Sequence, residues 1–104
     1  MQLSKNKVFY LQAMAIQRYV LWGKYCKNAL EKRAPYREEH LTRLSNLKEQ
    51  GILITLGPTK CNRFVFGIFE ANNMEIVNDL VKKDIYWKNG IWTELTVYPW
   101  IQAF

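Results

Sequence analysis

A chain of 104 residues has room for one domain but not for two separate hydrophobic cores. Its 49% hydrophobic and 14% aromatic residues exclude a disordered protein, and its apolar runs are too short to span a membrane. The formal net charge of +6 is spread along the chain without an Arg/Lys-rich run or a recognisable motif, so we expect a solvated basic surface and no nucleic-acid partner.

The first segment, residues 1–15, follows neither helical nor strand spacing for long. Its apolar stretch at 8–11 is too short for the core of a signal peptide, and Met14 could equally be the natural start. We therefore expect residues 1–15 to be a poorly ordered extension and residues 16–104 to form the domain. The competing possibility is that 8–11 adds an edge strand or packs across a dimer.

The remaining residues alternate between strand-like and helix-like segments. Strands are predicted at residues 18–25, 52–56, 64–69 and 93–99. A short connection at 28–34 has some helical character, and the first main helix runs from Pro35 to about Gln50, with Gly51 ending it. Asn72 and Glu75 form a capping-box pattern for a second helix that ends near Asp84, followed by a loop over 86–90.

This order, β-α-β-β-α-β, is that of a ferredoxin-like α+β fold with an antiparallel sheet and both helices on one face. Side chains alternate along strands, so several apolar residues must point to the other face of the sheet. A face-to-face homodimer would bury them.

Metal chemistry has little support in the sequence. The two cysteines, Cys26 and Cys61, belong to no CxxC motif, and one histidine completes no conventional zinc ligand set. We expect no metal and no cofactor, and we interpret both cysteines as ordinary thiols. Unpaired thiols in a small protein favour a reducing, cytoplasmic location.

The single histidine, His40, is the strongest indication of function. Leu44 and Leu47 lie four and seven residues beyond it, so all three share one face of the helix. A buried imidazole needs a hydrogen-bond partner, and Asp84 extends the apolar stripe of the second helix on the same side of the sheet. At a helix C-terminus the macrodipole disfavours this carboxylate, which therefore needs compensation.

A His40–Asp84 pair has two possible roles. The carboxylate can orient the imidazole and make it a general acid or base, with Arg37 holding an anionic group. Alternatively, the hydrogen bond only ties two helices together. The residues alone leave both open.

Several segments resemble the YCII-related proteins over about residues 18–104. They are Glu31-Lys32-Arg33 followed by Arg37-Glu38-Glu39-His40-Leu41, Gly51-Ile52-Leu53 leading into Gly57-Pro58, Asp84-Ile85-Tyr86 followed by Gly90, and Thr96-Val97-Tyr98-Pro99-Trp100. The resemblance implies a ferredoxin-like fold of the dimeric α+β barrel superfamily, usually a homodimer. It also implies an active-site pair at His40 and Asp84, with lyase-type or dehydrochlorinase-like chemistry on small cyclic substrates. The family usually has proline after the aspartate, whereas this chain has Ile85.

We therefore predict a small dimeric enzyme with a His40–Asp84 acid–base dyad that acts on a small, cyclic or anionic ligand. Tyr86, Trp87 and Trp92 would edge its pocket, or else pack in the core or dimer. The alternative is a non-catalytic dimeric module that binds a ligand or serves in assembly.

Overall fold

The computed structural model describes residues 16–104, and the predicted extension at 1–15 lies outside the described residues. Four strands form one antiparallel sheet in the order β2-β3-β1-β4. The strands are β1 (Gln17–Tyr25), β2 (Leu53–Pro58), β3 (Phe64–Ala71) and β4 (Trp92–Trp100). The helices are α1 (Ala29–Arg33), α2 (Arg37–Glu49), α3 (Met74–Lys82) and α4 (Ile85–Lys88), with a 3-10 turn at Ala34–Tyr36 before α2. The predicted ferredoxin-like α+β fold is confirmed.

Burial alternates along the two central strands, as expected for a sheet covered on one side. The covered face packs against α2 and α3 through a core of eight buried residues: Tyr19, Leu21, Leu47, Leu53, Phe69, Val77, Val81 and Val97. Leu44 packs partly against this core and His40 is buried, so the predicted common face of His40, Leu44 and Leu47 is confirmed. None of the helices at residues 16–104 combines the length and apolar character needed to cross a bilayer.

A bulge in β4 fixes the position of Trp92. Lys24 pairs with Glu94 but Tyr25 pairs with Trp92, so Thr93 is an extra residue in β4. A bulge of this kind shifts the side-chain alternation by one residue. As a result, both Tyr25 and Trp92 point into the covered side of the sheet, where they join a second buried cluster.

Two boundaries differ from those predicted. The N-cap of α3 is Asn73, whose side chain accepts a hydrogen bond from the Ile76 amide, rather than Asn72. The second difference is the end of α3, which stops at Lys82. Asp84 has extended backbone angles (φ −67°, ψ 140°) and caps the start of α4, in a segment predicted to be a loop.

Candidate active site

His40 and Asp84 form a buried hydrogen-bonded pair between α2 and the start of α4. His40 Nδ1 lies 2.8 Å from Asp84 Oδ1, and the two residues are 4% and 0% exposed. The predicted contact between the two side chains is confirmed. Because Nδ1 is occupied by the carboxylate, Nε2 is the ring nitrogen left for a ligand.

The Asp84 carboxylate has two further hydrogen-bond partners, and one of them comes from its position as the N-cap of α4. Its Oδ1 accepts a hydrogen bond from the Tyr86 amide at 2.9 Å, and Arg43 Nη1 lies 3.3 Å from Oδ2. The expectation of an unfavourable helix C-terminus is wrong, since the chain leaves α3 two residues earlier and the carboxylate meets free amide groups at a helix start. Ile85 occupies the first helical position of α4, where proline is also well suited. Its presence leaves the cap intact.

Arg43 is a residue of the site that the sequence analysis missed. Its Nη2 donates to the Leu80 carbonyl at 2.6 Å while Nη1 reaches Asp84, so one guanidinium binds the end of α3 and the carboxylate together. Arg43 lies three residues beyond His40, a spacing that places both on neighbouring parts of one helix face. This spacing is the sequence feature from which Arg43 could have been predicted as a site residue.

Aromatic rings fix the plane of the imidazole. Tyr86 stacks on His40 with ring centroids 3.6 Å apart and planes inclined by 6°. Trp92 meets the same ring edge-on at 5.2 Å and 84°. Trp92 is buried, and its Nε1 has no hydrogen-bond partner among the described residues. The imidazole is therefore positioned by stacking as well as by its carboxylate.

A small cavity of about 100 Å³ opens onto His40. It is lined by Tyr25, Arg33, Arg37, His40, Leu41, Leu44, Leu56, Gly57, Pro58 and Tyr86. No acidic side chain belongs to this lining, and neither Arg33 nor Arg37 forms an ion pair with a carboxylate of residues 16–104. The cavity therefore combines a basic rim with an apolar wall, a combination suited to an anionic ring.

The predicted site residues divide into three groups. His40, Arg37 and Tyr86 line the cavity, while Asp84 and Trp92 contact His40 without lining it. Trp87 packs partly against the second buried cluster and does not line the cavity.

Two polar residues of the cavity lining, Tyr25 and Arg33, were not predicted as site residues. Tyr25 enters through the end of β1, and Arg33 lies at the end of α1. Because these two residues come from a strand and a helix and meet only in the folded chain, no regular spacing in the sequence links them.

Burial raises the pKa of both tyrosines beside the cavity. For Tyr25, burial outweighs the charge of Arg33, which lowers the pKa. For Tyr86 it outweighs the charges of Arg33 and Arg37. Both phenols are therefore neutral hydrogen-bond donors near neutral pH.

No group of three or more His, Cys, Asp or Glu side chains gathers at a possible cation site in the described part of the chain. Around His40, the charged groups available for chemistry are Asp84 and three arginines, Arg33, Arg37 and Arg43. An imidazole that is oriented by a carboxylate and lines a basic cavity is able to move a proton to or from a bound anion.

Comparisons with known proteins agree with this fold. A family model described as the YCII-related domain matches residues 17–101. A Haemophilus influenzae protein, described only as uncharacterised, is 30% identical over 96 residues, covering 83% of this chain and 98% of its own.

Among the solved structures that match this chain, one is similar in fold and a second matches more weakly. The first is 5-chloro-2-hydroxyhydroquinone dehydrochlorinase (TftG) from Burkholderia phenoliruptrix AC1100 in complex with 2,5-dihydroxybenzoquinone. Its TM-score is 0.71 at 23% identity, with 83% of this chain and 95% of that chain covered. The other is a dimeric ferredoxin-like protein from an uncultured marine organism, with a TM-score of 0.46 at 15% identity and coverage of 86% and 90%.

Proposed function

The chain belongs to the YCII-related family, and on that premise we propose that it is a small lyase-like enzyme in which His40 is the proton-transfer group. The observation that carries the proposal is the buried His40–Asp84 pair beside a basic cavity. Asp84 orients the imidazole through Nδ1, and Nε2 takes a proton from the ligand and returns it to solvent or product.

The proposed substrate is a small anionic ring. Arg33 and Arg37 supply positive charge without a described carboxylate partner, which favours a negatively charged ligand. Leu41 and Pro58 supply apolar wall, and the volume of about 100 Å³ limits the buried part of a ligand to about one ring. The Tyr25 and Tyr86 hydroxyls are donors for ring oxygens.

The dehydrochlorinase with the similar fold suggests the type of reaction. In a dehydrochlorination of a hydroxylated ring, one hydroxyl proton first moves to the carbon that bears chlorine; a base then removes a second hydroxyl proton, the electron pair moves through the ring, and chloride leaves that carbon. No electron acceptor is needed, because hydrogen and chlorine leave as a proton and chloride. A single oriented histidine with a basic anion site provides what this step needs.

We also propose that the protein acts as a homodimer that pairs through the uncovered face of the sheet. This face carries Trp22 (41% exposed), Phe66 and Tyr98 (54% exposed), and Trp22 stacks on Phe64 at 5.2 Å. Exposed aromatic residues grouped on one sheet face favour burial against a partner. A two-fold related copy would present the same apolar surface.

The direct test is chloride release from 5-chloro-2-hydroxyhydroquinone. We expect turnover by the native chain and a loss of about 10²–10⁴-fold in kcat in the His40→Gln variant, which lacks the proton-transfer group. Asp84→Asn should also lose activity, since the amide cannot stabilise an imidazolium. Asp79→Asn, a change at an exposed residue of α3, is the matched control and should leave the rate unchanged.

Two results would contradict the proposal. One is a His40→Gln variant that keeps the native rate. The other is a native chain that binds 2,5-dihydroxybenzoquinone through Arg37 but converts no halogenated or hydroxylated ring. The second result would favour the non-catalytic ligand-binding module.

A further inference from the structure

Both cysteines of the chain line one surface cavity that the dyad does not use. The cavity has a volume of about 420 Å³ and lies between the β1–α1 connection and the β2–β3 turn. Its lining includes Cys26 and Lys27 on one side and Cys61 and Arg63 on the other, with Glu31 as its acidic residue. Two cysteines that belong to no motif in the sequence therefore line the same basic surface cavity.

Cys61 lies at the exposed tip of a well-defined turn. The Asn62 amide donates to the Thr59 carbonyl at 2.8 Å, and the Thr59 amide donates to the Phe64 carbonyl at 2.8 Å. Asn62 adopts the left-handed conformation (φ 59°), which asparagine tolerates well. The turn therefore holds the Cys61 thiol in a fixed direction.

The Thr59 hydroxyl is placed to stabilise a Cys61 thiolate. Its Oγ1 lies 3.2 Å from Cys61 Sγ and accepts a hydrogen bond from the Phe64 amide at 3.2 Å. The same hydroxyl lies 3.3 Å from the Phe64 carbonyl, so its proton can be donated to that oxygen or to the sulfur, and a negatively charged Cys61 thiolate favours donation to the sulfur. The Thr59 hydrogen bond is the main cause that lowers the pKa of Cys61, followed by a backbone hydrogen bond at Arg63. A thiolate is the reactive form of cysteine.

Cys26 enters the same cavity from the end of β1. The Tyr25 amide donates to the Arg63 carbonyl at 2.8 Å, and the Cys26 amide donates to the Ile91 carbonyl at 2.8 Å. Cys26 is one residue beyond the Tyr25–Arg63 contact and Cys61 is two residues before it, so both cysteines lie at the same end of the β1–β3 pair and line the same cavity. An intramolecular disulfide would hold their Cα atoms about 4.4–6.8 Å apart.

We propose that Cys61 and Cys26 are a redox-active thiol pair that hydroperoxides oxidise to an intramolecular disulfide. The Cys61 thiolate attacks a peroxide oxygen, the O–O bond breaks, and a sulfenic acid forms as hydroxide or alkoxide leaves with a proton. The Cys26 thiol then loses its proton and attacks the Cys61 sulfur, and the proton and the departing hydroxide leave as water. Overall, the two thiols lose two protons and two electrons to the peroxide, and a dithiol reductant restores them.

The test uses the reduced full-length chain and hydrogen peroxide, followed by thiol blocking and peptide mapping without reductant. We expect the intact mass to fall by two hydrogen atoms and a single cross-linked peptide pair to join Cys26 to Cys61. In Cys26→Ser the sulfenic acid on Cys61 should persist and react with dimedone. In Cys61→Ser, Cys26 should remain reduced under the same conditions.

The Thr59 contact has its own readout, the rate at which iodoacetamide alkylates Cys61 near neutral pH. Thr59→Val should slow alkylation several-fold, because the hydroxyl that stabilises the thiolate is lost. Thr55→Val, at an exposed position in the same hairpin, is the matched control and should leave the rate unchanged. The proposal is overturned if peroxide leaves Cys26 free beside an oxidised Cys61, if the disulfides formed join two chains, or if Thr59→Val reacts at the native rate.

Discussion

Asp84 makes more side-chain hydrogen bonds than His40, the other buried polar residue of the site. It contacts His40 at 2.8 Å, the Tyr86 amide at 2.9 Å and Arg43 at 3.3 Å, while its own exposure is 0%. A carboxylate in this position costs desolvation free energy, which these partners offset. Its loss would leave a buried imidazole and a partly buried guanidinium without their acceptor.

Replacing Asp84 therefore gives a graded prediction for stability. Asp84→Ala should lower the free energy of unfolding by about 3–5 kcal/mol, since it breaks a buried charge pair and removes the cap of α4. Asp84→Asn should cost less, because its amide oxygen still accepts from the Tyr86 amide. Urea unfolding at fixed protein concentration measures both, with Asp79→Ala as the exposed control. Equal losses for the Ala and Asn variants would contradict this account of the cap.

Tyr86 gives a prediction for alkaline pH. Burial raises the pKa of its phenol in the folded state, so above about pH 10 the unfolded chain releases a proton that the folded chain retains. The free energy of unfolding should therefore fall as the pH rises through the unfolded-state pKa toward the folded-state value. Tyr86→Phe, which keeps the stacked ring, should make this fall shallower. Tyr36→Phe, in the 3-10 turn and outside the sheet, is the control, and an identical alkaline slope in native and Tyr86→Phe chains would contradict the prediction.

At the scale of elements, the start of α3 and the short helix α4 position the carboxylate. The Asn73 side chain accepts from the Ile76 amide at 3.0 Å and so defines where α3 begins. Nine residues later α3 ends, and the chain turns at once into the Asp84 cap of α4. The position of Asp84 thus depends on a complete α3.

Asn73 and Asn72 are adjacent residues of the same type with different structural roles. Asn73→Ala should lower the free energy of unfolding by about 1 kcal/mol, because an unsatisfied amide replaces a capped one. Asn72→Ala should change it little, since no cap hydrogen bond involves that side chain. Thermal or urea unfolding of both variants measures the two losses in the free energy of unfolding. A larger loss for Asn72→Ala would support the capping box with Asn72 that the sequence predicted.

Long periodic elements were predictable from the sequence, and short or irregular ones were not. The face of α2 that carries His40, Leu44 and Leu47 follows from spacing alone. A helix as short as α4 has too few residues for a hydrophobic period, so it was predicted as a loop. The bulge at Thr93, which turns Trp92 toward His40, depends on pairing with β1 and leaves no local pattern.

At the scale of the whole molecule, the uncovered sheet face defines the expected assembly. Its apolar centre lies between two cross-strand ion pairs, Arg18–Glu70 at 2.8 Å and Lys24–Glu94 at 3.2 Å. Polar pairs around an apolar centre are typical of protein interfaces. The fold class was predictable from the order of the elements. The partner of this face was not, because the spacing of residues within one chain does not identify a second chain.

The dimer prediction is tested by a charge in the apolar centre. Trp22→Glu should convert a dimer to a monomer in sedimentation experiments at micromolar concentration, because a buried unpaired carboxylate would oppose association. Met74→Glu is the control, since this exposed residue lies at the start of α3 and not on the sheet. A native chain that sediments as a monomer would contradict the predicted assembly.

The central claim is that Asp84 holds one nitrogen of His40 so that the other can exchange a proton with a bound ring. Because the chain has one histidine, ¹⁵N NMR of the untagged, histidine-labelled protein reports on this imidazole alone. We predict that the neutral form of the ring carries its proton on Nδ1, donated to Asp84, and that the Nε2 resonance shifts when 2,5-dihydroxybenzoquinone is added. A proton on Nε2 in the neutral ring, or a ligand that binds without changing either ring nitrogen, would contradict the claim.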